Sequence, residues 1–379
     1  MPWNVKDAMS VRQEFVSLAA AQTLPFSALC QRFNISRQTG YKWLERHRTQ
    51  GLQGLADQSR RPHHGPTRSP DQIVETVLEL RRQHGWGGRK IERRLLDLGH
   101  AGVTAPATIT EILRRHGMIT GRDSAQRQHW QRFEHEHPNS LWQMDFKGDF
   151  PTLEGGRCSP LTVIDDHSRF NILLAACSRM TTKVVKTELE QAFRCYGLPA
   201  RINTDNGAPW GSPSAPGQIT ALAVWMIRLG IHVSYSRPYH PQTNGKDERF
   251  HRSLKAEVLL RHAFTTHAHV QQELEKWRHV YNTERPHEAL GMATPLTRYQ
   301  PSPRTMPEHL PEPEYGPGDE VLKVNSNGVV RFRDKPLRLS IALKGLRVAA
   351  RPKDDEDGVI EFWFAHHRVA KLDLNASET

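Results

Sequence analysis

The sequence predicts a multidomain protein with all-α modules at its front, a central α/β core and a small β-barrel at its end. Apolar residues recur at helical spacing in the front part, and the alternation typical of strands begins only at Leu141. Two breaker-rich segments, 59–70 and 295–319, separate these regions. The predicted boundaries are 1–58 and 69–118 for two helical domains, 119–139 for a connector, 140–297 for the core, 298–318 for a Pro-rich linker and 319–375 for the barrel.

The chain carries a formal net charge of +11, and most of it lies at the front. Residues 1–140 hold 21 Lys+Arg against 13 Asp+Glu, whereas residues 141–379 hold 31 against 28. Because each neutralised phosphate releases counterions, a basic front section favours an anionic polymer as partner. A basic protein that is merely soluble is the alternative.

Cysteine usage and hydropathy exclude several classes of protein. The four cysteines form no C-x-x-C pair, so neither a disulfide framework nor a zinc finger is indicated, which fits a reducing cytosol. No apolar run is long enough to cross a bilayer, and the start lacks the pattern of a signal peptide. We therefore expect a soluble intracellular protein without a membrane partner.

The first helical domain has the pattern of a helix-turn-helix. Asn34-Ile35 makes a short turn, and Ser36 is a suitable N-cap for the helix SRQTGYKWLERH, in which Tyr41 and Leu44 are expected to face inward. The second helix of such a motif enters the major groove of DNA. The residues expected to face DNA are Arg37, Gln38, Lys42 and Arg46. An ordinary three-helix bundle with a charged face is the alternative.

A second three-helix unit follows, with helices predicted over 70–84, 88–98 and 106–116. It contains four pairs of adjacent basic residues, namely Arg81-Arg82, Arg89-Lys90, Arg93-Arg94 and Arg114-Arg115. One such pair is usually a solvated face, but four in one small unit favour a second DNA-binding module.

Beyond Leu141 the pattern predicts three strands, a helix, a strand and further helices, which is the order of the ribonuclease-H-like fold, a mixed sheet flanked by helices. In the first strand Trp142, Met144 and Phe146 alternate with Gln143, Asp145 and Lys147. After the second linker, five short strands with turns at Asn327-Gly328 and Asp357-Gly358 predict the barrel.

The stretch HPQTNGKDERFHRSLKAE, residues 240–257, contains the adjacent acids Asp247 and Glu248, and the question is which of them has a chemical role. Pro241 and Gly245 exclude a helix before about Lys246, so both acids lie in its first turn, where the helix dipole alone would favour them. At 100° per residue, Asp247 lies among the apolar residues of the helix. Glu248 lies opposite, on one face with Arg252 and Lys255.

A carboxylate that faces DNA repels it unless a cation lies between them. Two divalent ions can stabilise the attacking and leaving oxygens of a phosphoryl displacement, and they require converging carboxylates. Asp145 on the first strand and Asp205 at the end of a later strand are suitable partners for Glu248. A single acid at any of these positions is usually a cap or turn residue, but three on separate elements of this fold are not easily accidental.

The motifs WQMDFK, NTDNG and HPQTNGKDERFHRSLK together resemble the three acidic motifs of the integrase-core DDE transposases of bacterial insertion sequences, relatives of retroviral integrases. SLKAE followed by YNTERPHEALGMATP strengthens the similarity, which spans roughly residues 138–300. The resemblance implies that Asp145, Asp205 and Glu248 are the catalytic and metal-binding residues. It also implies that Arg252 and Lys255 contact DNA.

The resemblance implies a function for the whole chain. It implies a DNA transposase that binds the terminal inverted repeats of an insertion sequence, cleaves the DNA and joins the 3′-hydroxyl to target DNA. Two Mg²⁺ or Mn²⁺ ions per site, transposon-end and target DNA as partners, a homodimer or larger assembly, and a nucleoid-associated place in the bacterial cytoplasm follow from it. A metal-dependent nuclease of the same fold and a catalytically inactive DNA-binding regulator are the alternatives.

The sequence departs from the family pattern in one spacing. Asp205 and Glu248 are 43 positions apart, which is longer than usual, and we place the extra length in the loop 208–218. Long surface loops cost little, so we expect the core to be intact. Asp165, which follows an apolar strand, and Asp166, which fits the turn before His167, are not expected to be catalytic acids.

Overall fold

The computed structural model describes residues 8–57, 69–119, 134–211, 219–236, 245–353 and 355–375. The chain divides into two compact units, Met1–Arg68 and Ser69–Thr379. Most of the predicted linker 59–70, most of the connector 119–139 and residues 212–218 of the predicted loop lie outside the described residues. Within the described parts, none of the helices combines the length and the apolar character that crossing a membrane requires.

The first unit contains the predicted helices, α1 (Ala8–Ala20), α2 (Phe26–Arg32) and α3 (Arg37–Gln50), followed by a 3₁₀ turn at Gly51–Leu55. The side chain of Ser36 caps α3 as predicted, since its Oγ accepts the Thr39 amide at 3.1 Å. Gly40 lets α3 approach the other two helices. A Cβ there would lie 2.9 Å from Cys30 and Phe26 and 3.0 Å from Phe15.

The expectation that Tyr41 faces inward is wrong. Its side chain is 60% exposed, and its ring stacks on Phe26 with 4.4 Å between the ring centroids. Gly40 and Trp43 occupy the buried positions of α3 instead. Because Gly40 and Trp43 face the core, the two residues between them on α3, Tyr41 and Lys42, are both exposed.

The second unit begins with three helices close to the predicted bounds, α4 (Asp71–His84), α5 (Gly88–Asp97) and α6 (Pro106–Arg115). They enclose a core of their own around Val77, Ile91 and Ile109. Several arginines of the basic pairs that favoured a second DNA-binding module are engaged within the protein. Arg94 pairs with Glu284, Arg89 pairs with Glu288 at 3.3 Å, and Arg81 donates to the carbonyls of Gly85, Trp86 and Met118.

A mixed sheet forms the centre of the second unit. Its strands are β1 (Trp142–Phe146), β2 (Phe150–Pro151), β3 (Arg157–Asp165), β4 (Asn171–Cys177), β5 (Arg201–Thr204) and β6 (His232–Tyr235). The order runs β4-β3-β1-β5-β6, with β2 pairing the start of β3. Strand β3 runs antiparallel to both β1 and β4, whereas β5 runs parallel to both β1 and β6. This is the predicted ribonuclease-H-like arrangement.

Helices cover both faces of this sheet. They are α7 (Thr182–Tyr196), α8 (Ala221–Arg228), α9 (Gly245–Leu254) and α10 (His267–Thr283), and a π-helical turn, Lys255–Leu259, continues α9. Trp142 and Met144 pack with α7 and α8 on one face. Ile164 and Leu174 pack with α9 and α10 on the other. The alternation of β1 therefore directs its polar side chains toward the layer that contains α9.

The Pro-rich segment 298–318 has no strand and almost no helix, yet it is held against the core. Tyr299 stacks on Phe170 with ring centroids 4.1 Å apart. The Arg304 guanidinium donates to the carbonyls of Pro199, Leu229 and Gly230. A segment that its composition predicts to be a linker thus packs along the core.

The C-terminal region is all-β as predicted, but the described strands do not close a barrel. The strands are β7 (Glu320–Lys323), β8 (Val329–Phe332), β9 (Lys335–Arg338), β10 (Arg347–Pro352), β11 (Val359–Phe364) and β12 (His367–Asp373). Among the described strands, a four-stranded sheet has the order β12-β11-β10-β7, and β8 and β9 form a separate pair. There are six strands instead of five because a turn at Ala365, with φ of 49°, divides the last predicted strand.

Candidate active site

Asp145 lies near the end of β1, on the side that faces α9. Its side chain is 27% exposed. One carboxylate oxygen, Oδ1, accepts the backbone amide of Phe146 at 2.7 Å. This bond fixes one oxygen of the carboxylate and leaves Oδ2 free to meet other groups.

Asp205 follows directly after β5, which is the parallel neighbour of β1. Gln143 pairs with Asn203 in that register, and Asp145 and Asp205 each come two residues later. The carboxyl ends of parallel strands meet at one edge of a sheet, so the register puts both acids at the same edge. Asp205 is exposed.

Asp247 and Glu248 lie in the first turn of α9 and point in opposite directions, as their helical positions predict. Asp247 is 1% exposed and belongs to the buried face with Phe250 and Leu254. Glu248 is exposed, and so are Arg252 and Lys255 on its side of the helix. The predicted division of this helix into a buried and a cationic face is confirmed.

The electrostatics of Asp145 connect the three predicted acids. Burial, followed by the negative charges of Asp205 and Glu248, raises the pKa of Asp145 to about 6. The Phe146 amide and Lys147 act in the opposite direction. Because both carboxylates raise the pKa of Asp145, the three acids share one electrostatic neighbourhood.

A second group of titratable side chains, made of Asp145, Asp247 and His251, lies on the buried side of these acids. Among the described residues, ligand atoms of Asp145, Asp247 and His251 all lie within 4.8 Å of one another, and this group includes neither Asp205 nor Glu248. Burial, with the charge of Asp145 next, raises the pKa of Asp247 well above its ordinary value. Burial, together with the charge of Lys147, lowers the pKa of His251 to about 3.

Neither His251 nor Thr162 was expected from the sequence. The four-residue spacing of Asp247 and His251 could have indicated that both lie on the buried face of α9. Thr162 gave no such signal. It becomes a neighbour only because β1 and β3 pair with Asp145 opposite Thr162.

The residues at this edge fit a divalent cation by their chemistry. The donors are carboxylates, which Mg²⁺ and Mn²⁺ prefer, and no thiol is among them. The carboxyl of Asp145 is already destabilised as an anion by two neighbouring negative charges. A cation between these carboxylates would remove that repulsion, so Asp145, Asp205 and Glu248 could hold one.

Asp165 and Asp166 have structural roles, as expected. Asp165 accepts bonds from the amides of Asn139 and Ser168 and from the Ser168 hydroxyl. Asp166 forms an ion pair with Lys246, and its Oδ1 accepts a hydrogen bond from the side-chain amide nitrogen of Gln143, Nε2, at 2.9 Å. Both acids are buried, at 0% and 1% exposure, and both are saturated with hydrogen bonds that connect neighbouring segments.

The first part of the predicted loop 208–218 packs against the core. Trp210 is buried and stacks on Phe146, the residue after Asp145, with ring centroids 5.4 Å apart. Its carbonyl accepts the Thr220 hydroxyl at 2.9 Å. The two ends of the loop are thereby joined beside the first catalytic candidate, which agrees with an intact core.

On α3, the four predicted DNA-facing side chains are accessible to different degrees. Arg37, Gln38 and Lys42 are exposed, whereas Arg46 is half-buried with its guanidinium 5.2 Å from the centroid of the Trp43 ring. Their contacts with DNA remain predictions.

Five family models match parts of the chain. Two models described as "Integrase core domain" match residues 135–241 and 229–295. A third model, described as "IS481 family transposase, C-terminal domain", matches residues 319–379. This chain therefore contains an integrase core domain, followed by a region that matches the C-terminal domain of IS481 family transposases. "Helix-turn-helix domain" matches 11–63 and "Homeodomain-like domain" matches 39–113, so the integrase core is preceded by helix-turn-helix domains.

Curated relatives agree with the integrase core. The chain is 31% identical over 158 residues to the 31.7 kDa protein of insertion element IS407 from Burkholderia multivorans, covering 42% of this chain and 54% of that protein. It is 30% identical over 161 residues to the transposase of insertion sequence IS904 from Lactococcus lactis, covering 42% and 60%. The chain thus spans little more than half the length of these relatives.

One solved structure similar to the integrase core is the catalytic core domain of HTLV-2 integrase in complex with magnesium. It covers 44% of this chain and 99% of its own, with 18% identity and a TM-score of 0.34. The assignment of the fold depends on the order of the sheet and on the matching family models.

Proposed function

We propose that this protein is a DNA transposase that cleaves DNA at the ends of an insertion sequence and joins those ends to target DNA. The observation that carries the proposal is the meeting of Asp145 and Asp205 at one sheet edge, with Glu248 close enough to raise the pKa of Asp145. The matching integrase-core and helix-turn-helix models and the insertion-sequence relatives support it.

The chain's own residues would hold and orient the DNA. Exposed Arg252 and Lys255 lie one and two turns beyond Glu248 on the same side of α9. Their charges can bind the phosphates that flank the reacting bond, and such contacts set position more than sequence preference. The contacts of the helix-turn-helix with DNA are assigned to α3, through Arg37, Gln38, Lys42 and Arg46.

The reaction consists of two in-line displacements at phosphorus. Water attacks the phosphodiester at the end of the element and frees a 3′-hydroxyl, which then attacks a phosphodiester of the target and displaces another 3′-hydroxyl. Mg²⁺ or Mn²⁺, two ions held by Asp145, Asp205 and Glu248, would supply charge stabilisation for the attacking and leaving oxygens. Neither ATP nor a covalent protein–DNA intermediate is required.

The proposed partners are the two transposon ends and the target DNA. One chain contributes one set of Asp145, Asp205 and Glu248, so synapsis of two ends requires a homodimer or a larger assembly. The bacterial cytoplasm, in association with the nucleoid, is the proposed location because the substrate is chromosomal DNA.

The decisive experiment uses the purified full chain, labelled DNA from the two boundaries of the element that encodes it, and Mg²⁺. We expect nicked ends and joined products. Asp145→Asn and Glu248→Gln should each lower both yields by about 10³-fold or more, as loss of a group that acts only in the transition state does, while end binding is kept.

A matched control and the rival functions complete this experiment. Asp149→Asn removes an exposed carboxylate from the turn after β1, where it pairs with Arg157, and should retain both products. Cleavage without joining would identify a nuclease. End binding without either product would identify an inactive DNA-binding regulator. Either result would overturn the proposed transposase.

A further inference from the structure

Three buried polar side chains lie directly behind the proposed active site and have no part in the proposed reaction. Thr162 is fully buried, Asp247 is 1% exposed and His251 is 8% exposed. Buried polar groups carry a large desolvation cost unless they are partnered, so such a group in a core has a structural or functional reason.

These side chains form one connected network. The Thr162 hydroxyl lies 2.8 Å from Nε2 of His251 and 3.1 Å from Oδ1 of Asp247. Nε2 of His251 also lies 3.3 Å from Oδ2 of Asp247. Every one of the three residues therefore contacts the other two.

The network connects the two elements that carry Asp145 and Glu248. Thr162 stands opposite Asp145 in the pairing of β3 with β1, and its hydroxyl also lies 2.9 Å from the backbone oxygen of Asp145. Asp247 and His251 lie one turn apart on α9, and Asp247 is the residue next to Glu248. A second bond, from the Asp247 amide to Oε1 of Gln143 at 3.2 Å, ties the same turn of α9 to β1.

The network also reaches the Asp145 side chain. Oδ1 of Asp145 is fixed by the Phe146 amide, and Oδ2 faces Nδ1 of His251 at 4.0 Å. The imidazole ring thus stands between this oxygen and the buried face of α9, which limits the rotation of the carboxylate away from the edge that it shares with Asp205.

Alternatively, Asp145, Asp247 and His251 could themselves be metal ligands. The geometry favours a closed network instead. Nε2 of His251 and both oxygens of Asp247 lie within 3.3 Å of the Thr162 hydroxyl, so these atoms face one another inside the core. This arrangement suits residues that hold a ligand in place.

We propose that Thr162, Asp247 and His251 are positioning residues that set the placement of Asp145 on β1 relative to Glu248 on α9. This inference rests on the proposed function, in which these two acids hold divalent cations. Adjacent acids on α9 then have separate tasks, because Asp247 anchors the helix on the sheet while Glu248 faces the solvent edge where DNA would lie.

The test measures Mn²⁺ binding directly on the metal-free full chain, by the electron paramagnetic resonance signal of free Mn²⁺. Thr162→Val removes the hydroxyl and keeps the shape, whereas Thr162→Ser keeps the hydroxyl and loses a methyl group. We expect Thr162→Val to weaken Mn²⁺ binding about 10- to 100-fold, the usual effect of losing a group that orients a metal ligand, and Thr162→Ser to bind within about twofold of the wild type.

His251→Ala is an independent test of the network. Its control is His262→Ala, because His262 is exposed. We expect His251→Ala to weaken Mn²⁺ binding to the same extent as Thr162→Val and His262→Ala to leave it unchanged. If His251→Ala fails to fold, the comparison of Thr162→Val with Thr162→Ser is the test. Each of these variants makes a small change in the core, but only Thr162→Val removes the hydroxyl.

The outcomes separate this inference from the proposed function. If the wild type, Thr162→Val and His251→Ala bind Mn²⁺ equally, the positioning role is overturned while the transposase proposal stands. If Thr162→Val and Thr162→Ser weaken binding equally, the role of the hydroxyl is likewise overturned. If the wild type itself binds no Mn²⁺, the metal site of the proposed function fails, and this inference fails with it.

Discussion

At the scale of single residues, the first turn of α9 shows how neighbouring acids acquire different roles. Asp247 and Glu248 are both favoured there by the helix dipole, so the turn by itself does not distinguish them. Rotation by 100° per residue directs Asp247 into the core and Glu248 outward, as their exposure confirms. The helical period thus predicted which acid is accessible. It did not predict that the buried one meets Thr162.

Lys255 is the residue with the simplest predicted role. It is exposed at the start of the π-helical turn, two turns beyond Glu248. If it binds a phosphate, Lys255→Ala should weaken binding of element ends and reduce the slope of log K against log salt by about 1. Fluorescence anisotropy over a salt series measures this slope.

Lys276→Ala is the matched control for Lys255, because Lys276 is 61% exposed on α10 and pairs with Glu273 at 2.6 Å. The control should show the slope of the wild type. An unchanged slope in Lys255→Ala would refute its contact with phosphate.

At the scale of an element, α3 follows the predicted helix closely but not the predicted face. The cap at Ser36 and the turn at Asn34, with φ of 52°, lie where local signals put them. The error at Tyr41 arose because the buried face depends on how closely α3 approaches α1 and α2, which Gly40 permits. An aromatic residue close in sequence to Trp43 is expected to be buried. The ring of Tyr41 is exposed instead and stacks on Phe26.

Tyr41 is therefore expected to contact bases or sugars and not phosphates. Tyr41→Ala should reduce the preference for element ends over unrelated DNA by about tenfold, within the range of one specific contact, without changing the salt slope. Competition binding with the two DNAs measures the preference.

Lys42→Ala, the neighbouring substitution, should instead weaken binding to both DNAs and lower the slope. If Tyr41→Ala weakens binding to both DNAs equally, the ring supports the domain through Phe26 and does not read the sequence.

At the scale of the second unit, contacts between distant segments decide how its parts are joined. The helical part α4–α6 is fastened to the end of α10 by Arg94 with Glu284 and Arg89 with Glu288, and Arg261 donates to the carbonyls of Arg82 and Gln83. Basic pairs that sequence reasoning assigned to DNA thus serve partly as internal connections. Arginine is suited to both tasks, since its guanidinium binds carboxylates as well as phosphates.

The junction of the sheet with the C-terminal region contains a histidine cluster that predicts a dependence of stability on pH. The ring centroids of His232 and His366 are 4.2 Å apart, and His366 Nε2 lies 3.2 Å from the Ile231 carbonyl. Burial, followed by the charges of His232, His367 and Arg304, lowers the pKa of His366. Burial, followed by His232 and Arg368, lowers the pKa of His367.

Because these native pKa values are lowered, the unfolded chain binds more protons below about pH 6.5, and the stability contributed by the cluster is lost as the pH falls through that value. We expect the Tm of the full chain to fall between pH 7.5 and 5.5. His366→Gln, which keeps a donor for the Ile231 carbonyl, should make this fall smaller.

Exposed His262→Gln serves as the control for His366 and should reproduce the wild-type dependence. Differential scanning calorimetry at a series of pH values measures the effect. A His366→Gln variant with the same loss of Tm as the wild type would contradict the role of the cluster.

Local information in the sequence was sufficient for the order of the elements, the cap of α3, the alternation of β1 and the choice of Asp145, Asp205 and Glu248 as candidates. These features depend on the periodicity of a few adjacent residues and on breakers at their ends. The all-β character of the C-terminal region was confirmed, but its described strands do not close a barrel, because closure depends on which strand edges meet and β8 and β9 pair with each other.

Only the tertiary structure decided which residues support the candidate acids. Thr162 and Asp247 are 85 positions apart, and they meet because β3 pairs with β1 in one register and α9 crosses both strands. Register and helix placement arise from packing between distant segments, which no local pattern contains. The sequence by itself thus determined the chemistry available at the site, and the fold determined how that chemistry is held.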